Sequence, residues 1–156
     1  MTDKIYVANA ISNNVTVING ATGEVTTVTE PNAVQVFGLS INTVTDRIYV
    51  LNSSSNNVTV IDGATNNNVT VALAGVQSPD AIAVNAATNK IYVTNRASQN
   101  MSVIDGATNV ATTLSTPSFA FVPYAMAVNQ VTNKVYIADH NCPANDDVAA
   151  GKSHSC

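Results

Sequence analysis

Four tyrosines, Tyr6, Tyr49, Tyr92 and Tyr136, stand 43, 43 and 44 residues apart, and the same words surround each of them. Ahead of them lie Thr2-Asp3-Lys4-Ile5, Thr45-Asp46-Arg47-Ile48, Thr88-Asn89-Lys90-Ile91 and Thr132-Asn133-Lys134-Val135. A second phrase follows the first three: Val15-Thr16-Val17-Ile18, Val58-Thr59-Val60-Ile61 and Met101-Ser102-Val103-Ile104. A third closes the period: Leu39-Ser40-Ile41-Asn42, Ile82-Ala83-Val84-Asn85 and Met126-Ala127-Val128-Asn129. Chance does not hold such a register over three copies. A period of roughly 40 residues marks units that cannot bury their apolar faces alone and must stack on one another.

Each phrase reads as a strand, because Val58-Thr59-Val60 and Val69-Thr70-Val71 alternate with a period of two and β-branched residues dominate. In the second copy the expected strands are 48–52, 58–61, 69–73 and 81–85, and no stretch has a convincing helical period. Asn19-Gly20, Asp62-Gly63 and Asp105-Gly106 are expected to make the turns by tolerating positive φ. Four short antiparallel strands per unit make one blade of a β-propeller, an all-β fold. Counted from the tyrosines, residues 1–137 hold three complete units and the start of a fourth, about 3.5 blades of an incomplete ring. Residues 138–156 form a divergent loop bracketed by cysteines. An open arc leaves sheet edges and an apolar blade face uncovered. Three readings answer that: a piece of a longer propeller, two arcs closing one ring, or open-ended stacking of copies.

Tyr92-Val93-Thr94-Asn95 spells YVTN, and the wider pattern A-V-N-x-x-T-N-K-(I/V)-Y-V-x-N…V-(S/T)-V-I-D-G-A-T runs over residues 2–137. The chain resembles the YVTN family of β-propeller repeats. That resemblance implies a bladed ring of the secreted or surface-layer type, and similar propellers occur in enzymes and electron-transfer subunits. It also implies that Ala81–Asn85 and its equivalents are the innermost strands. Ligands then meet the loops leading into those strands and the loops joining second and third strands.

Charge narrows the partners. Only 10% of residues are charged, the net charge is −4, and four of the six basic residues sit at one repeat position. The basic patch on which non-specific nucleic-acid binding depends is missing. No apolar window is long enough for a membrane-spanning helix. Met1-Thr2-Asp3-Lys4 leads straight into a strand and leaves no room for a signal peptide. The chain is thus cytosolic, or has lost a leader, or is a piece of something longer.

Cys142 and Cys156 are the only cysteines, and a disulfide between them would tie down a loop with little to pack. For a loop this size the chain-entropy gain is roughly 3 kcal/mol. It implies an oxidising compartment, hence an extracellular, periplasmic or cell-surface location. His140, His154, Asp139, Asp146 and Asp147 share that tail, but no metal-binding spacing occurs among them, so no metal and no cofactor is expected. No CxxCH and no G-x-S-x-G is present, and Asp62 and Asp105 share a turn slot with Asn19, so no catalytic residue is expected either. Five glycosylation sequons stand at Asn14, Asn52, Asn57, Asn68 and Asn100, three of them in one repeat slot.

Departures from the repeat are the informative residues. The loops ahead of the innermost strands read Glu30-Pro31-Asn32-Ala33-Val34-Gln35-Val36-Phe37, Gln77-Ser78-Pro79-Asp80 and Phe119-Ala120-Phe121-Val122-Pro123-Tyr124. Asp80, Arg96, Tyr124 and His140 are the candidate ligand contacts, whereas the repeat tyrosines are expected to pack between blades with their hydroxyls bonded. The leading functional reading is a non-enzymatic scaffold or binding module engaging proteins or ligands. A self-assembling structural protein is the second reading, with partners or copies meeting at exposed blade edges. A fragment of a propeller lyase or dehydrogenase subunit, its catalytic residues lying outside this chain, is the third.

Overall fold

The structure is a computed structural model that describes residues 3–114 and 123–139, the side chains of residues 123, 124 and 139 excepted. The described chain is all strand and turn. Strands β1 (Lys4–Asn9), β2 (Asn14–Asn19) and β3 (Val25–Thr29) form a first antiparallel sheet. Strands β4 (Val36–Asn42), β5 (Arg47–Asn52), β6 (Asn57–Asp62) and β7 (Asn68–Ala72) form the second. Strands β8 (Pro79–Asn85), β9 (Lys90–Asn95), β10 (Asn100–Asp105) and β11 (Ala111–Leu114) form the third, and β12 (Pro123–Asn129) pairs with β13 (Lys134–Asp139). These are blades of a β-propeller in an open run, and β8 lies against both β4 and β12 in the neighbouring blades.

The frame differs from a count started at each tyrosine. The third phrase, Ile82–Asn85, does not finish the unit before it. It pairs instead with the tyrosine strand that follows, Val84 facing Ile91 and Ala83 facing Tyr92. The four-residue turn from Asn85 to Lys90 makes a hairpin, whereas the chain from Ala72 to Pro79 crosses to the next sheet. Two complete four-stranded blades are therefore flanked by a three-stranded and a two-stranded sheet. Strand ends also lie one or two residues outside the apolar runs, because the flanking Arg47, Asn57, Asn68 and Pro79 still pair across the ladder.

Turn chemistry departs from expectation as well. Asn19, Asp62 and Asp105 accept the backbone N–H groups of the residues two and three further on, through Oδ1 at 2.8–3.2 Å. The left-handed residue comes later, at Gly23 (φ 73°), Asn66 (62°) and Asn109 (58°), not at the Asx-Gly pair. Gly20, Gly63 and Gly106 are small for another reason. Each donates its N–H to the carbonyl of Asp3, Asp46 or Asn89, and a Cβ at Gly63 would lie 2.7 Å from the Asp46 Oδ1. Close approach, not left-handed φ, requires glycine there.

The core lies between the blades. Tyr49, Leu51, Val58, Val60 and Val71 of the second blade pack against Val84, Ile91, Val93 and Ile104 of the third. One seam earlier, Tyr6, Ala8, Val15, Val17 and Val28 meet Val36, Leu39, Ile48, Val50 and Ile61 in the same way. Every inner blade thus has a tyrosine face toward the next blade and an isoleucine-valine face toward the previous one. Tyr49 is fully buried, yet its hydroxyl makes no hydrogen bond of good geometry, contrary to expectation. Burial raises its pKa, with Arg47 acting in opposition. Tyr136, in the last sheet, is exposed.

Candidate recognition surface

Polar repeat residues hold the seams. Asn42 caps the turn after β4, its Oδ1 accepting the N–H groups of Val44 and Thr45, while its Nδ2 donates to Asn89 Oδ1 in the next blade at 2.8 Å. Asn85 does the same for Ala87, Thr88 and Asn133. The Asn of each YVxN segment is consumed inside its own blade: Asn52 Nδ2 donates to Asn57 Oδ1 and Thr59 Oγ1, and Asn95 Nδ2 to Asn100 and Ser102. Asn52 and Asn57 are buried, so a glycan on either is incompatible with this fold.

At the end of the arc where Asn52 and Asn95 close the tyrosine strands, the chain carries what the repeat leaves free. The pairing of β4 with β5 slips between Val36 and Gly38, that of β8 with β9 between Pro79 and Ala81, and that of β12 with β13 between Pro123 and Ala125. The extra residues are Phe37, Asp80 and Tyr124. A bulge ends regular pairing, so each of these three first strands carries one non-repeating residue at the same register position. Gln35 (φ 57°) and Ser78 (52°) turn the chain into these strands in the left-handed region. The turn is locked from the preceding blade: Asn13 Oδ1 accepts Gln35 N–H at 2.6 Å, and Asn56 Oδ1 accepts Ser78 N–H at 3.0 Å.

A second row flanks the first. Ser53 N–H donates to Gln35 O and Arg96 N–H to Ser78 O, each at 2.9 Å, so the residue leaving the second strand is tied to the one entering the first. Ser53 and Arg96 hold equivalent slots, and Arg96 is exposed. Since Pro79 pairs with Asn95, Asp80 and Arg96 lie at one end of one sheet. They make no ion pair. His140, one residue beyond β13, lies outside the described residues, as do Phe119, Phe121, Cys142 and Cys156. Phe37, half exposed, escapes attention in the sequence because it ends a long loop. Writing the repeats under one another at their period puts Phe37, Asp80 and Tyr124 in one column, which is the signal that finds it.

The other end is structural. Lys90 Nζ meets Asp105 Oδ2 at 2.6 Å. That bond, with the N–H groups of Ala107 and Thr108, lowers the Asp105 carboxyl to about 2. The bonds from Thr65 lower Asp62 likewise. A cavity of about 10 Å³ between the first two sheets, lined by Val15, Val28, Val36, Ile61 and Asn52, has room for about one water molecule. Among the described residues no three of His, Cys, Asp and Glu gather, and no helix is long and apolar enough to cross a membrane.

No protein-family model and no curated protein matches the chain. Solved structures do. A nidogen/laminin complex matches with a TM-score of 0.73 and 13% identity over 89% of this chain and 53% of that one. A streptogramin B lyase structure matches with a TM-score of 0.74 and 13% identity over 87% of this chain and 44% of the other. Hydrazine synthase of Kuenenia stuttgartiensis matches at 0.73 and 18% identity over 86% and 38%. The chain is similar to these in fold alone, and it spans about half or less of their length.

Proposed function

We propose that this chain is a non-enzymatic propeller module of the YVTN type, whose bulged end is a recognition surface for a protein or peptide partner. One observation carries the reading. Phe37, Asp80 and Tyr124 differ in chemistry yet share one bulge position, at the head of strands that the repeat otherwise holds alike. With Arg96 at the same end of the sheet as Asp80, the row joins the half-exposed Phe37 ring to two opposite charges, a composition suited to protein contact. The nidogen/laminin complex, a neighbour in fold, joins two proteins. A secreted or cell-surface location fits the expected Cys142–Cys156 disulfide and belongs to the same proposal.

The test is binding of the chain to an array of extracellular proteins and peptides, repeated with Phe37→Ser, Asp80→Ala and Arg96→Ala. Loss of a bound partner at unchanged urea midpoint supports the reading. Binding indifferent to all three substitutions sinks it.

A further inference from the structure

The two outer faces of the arc are the two halves of one seam. At the first blade the isoleucine-valine face is bare: Ile5 is 56% exposed and Val7 42%, whereas their equivalents Ile48, Val50, Ile91 and Val93 are all buried. At the last sheet no described residue covers the tyrosine face, and Tyr136 is 56% exposed where Tyr49 is fully buried.

The polar ladder is split in the same way. At the inner seams a first-strand Asn donates to the next blade's turn, Asn42 to Asn89 and Asn85 to Asn133. The basic residue opening the tyrosine strand donates to the next blade's glycine carbonyl, Lys4 to Gly63 O at 2.6 Å and Arg47 to Gly106 O at 3.1 Å. On the bare tyrosine face the same donors are Asn129 Nδ2 and Lys134 Nζ, and neither has an acceptor among the described residues. On the bare isoleucine-valine face the same acceptor slots are Asp3 and the Gly20 carbonyl. Donors stand at one end and acceptors at the other, each beside its half of the apolar seam.

We propose that the Tyr136 face of one chain docks on the Ile5 face of a second copy, head to tail, with Asn129 reaching Asp3 and Lys134 reaching the Gly20 carbonyl. The two faces differ, so the contact is heterologous and builds rings or filaments, not an isologous pair. This goes beyond the recognition reading, since the bulged end takes no part in it.

Sedimentation of the intact chain, with Val7→Glu and Tyr136→Asp variants, tests the proposal. Both substitutions fall on residues that are exposed in the single chain, and far-UV circular dichroism verifies that each variant keeps its strands. The unsubstituted chain should associate reversibly, into a two-chain ring or into larger rings or filaments. Each variant alone should bind itself at least about 30-fold more weakly, as expected for loss of a central anchor. Mixed one to one, the variants should form a discrete dimer, because the mixture retains one intact pair of faces. A monomeric unsubstituted chain overturns the proposal, as does association that survives either substitution or a mixture that stays monomeric. A folded variant is required for each reading, and Val7→Thr with Tyr136→Ser replaces any variant that unfolds.

Discussion

Asn42 Nδ2 donates to Asn89 Oδ1 across 2.8 Å while its Oδ1 holds two backbone N–H groups of its own turn, so one amide both shapes a hairpin and joins two blades. Asn85 repeats both roles one blade later. An aspartate would keep the turn and lose the seam donor. An alanine would lose both.

The first prediction follows from that division. Asn42→Ala should lower stability by about 1–3 kcal/mol, because it empties a fully buried site, removes the cap and takes away the donor to Asn89. Urea unfolding measures it, and Asn85→Ala should behave alike. Thr43→Ala, outside the ladder, should stay within about 0.5 kcal/mol.

Glycine at the Asx-Gly turns is a steric demand. Gly63→Ala places a Cβ 2.8 Å from the Asp46 carbonyl oxygen, and Gly106→Ala places one 2.9 Å from that of Asn89. Each should cost about 1–3 kcal/mol by overpacking. Gly38, in β4, has nothing within 4 Å of its would-be Cβ, so Gly38→Ala should be tolerated. Equal losses at all three sites would contradict the close-approach account.

Acid should loosen the third blade. The Asp105 carboxyl is held at about 2 against an ordinary 3.8, first by Lys90 and then by backbone N–H groups. A depressed carboxyl contributes stability that is present above its unfolded value and lost as pH falls toward its folded one. Unfolding followed from pH 5 down to about 2 should therefore show a falling urea midpoint. Asp105→Asn should flatten that fall, since Asn19 makes the same turn with an amide.

Alkali should act at the second seam. Burial raises the Tyr49 pKa above its ordinary 10.0. The folded chain therefore keeps this phenol protonated where the unfolded chain ionises it, and stability falls as pH rises beyond the ordinary value. Phenolate absorbance should show a late-titrating tyrosine that disappears in Tyr49→Phe, and the same substitution should remove part of the alkaline loss.

The repeat by itself determined most of this fold. Val58-Thr59-Val60 and its equivalents fix strands because a two-residue alternation fits a pleated sheet and nothing else. A period near 43 residues fixes the blade, since that length holds four short strands. Asp80 and Arg96 stood out as breaks in the pattern. Tertiary structure alone decided the frame: Ile82–Asn85 looks equally apolar toward either neighbour, and only hairpin closure after Asn85 assigns it to the sheet that follows. It decided the turns too, because two residues of backbone contact separate a glycine needed for φ from one needed for space. That Phe37 sits at a bulge is a relation between two strands, so the repeat column marks the position but not the slip in pairing. Seams are likewise pairwise. Sequence names the residues of one blade, while Asn42 and Asn89, or Lys4 and Gly63, acquire their roles from packing across a distance of dozens of residues.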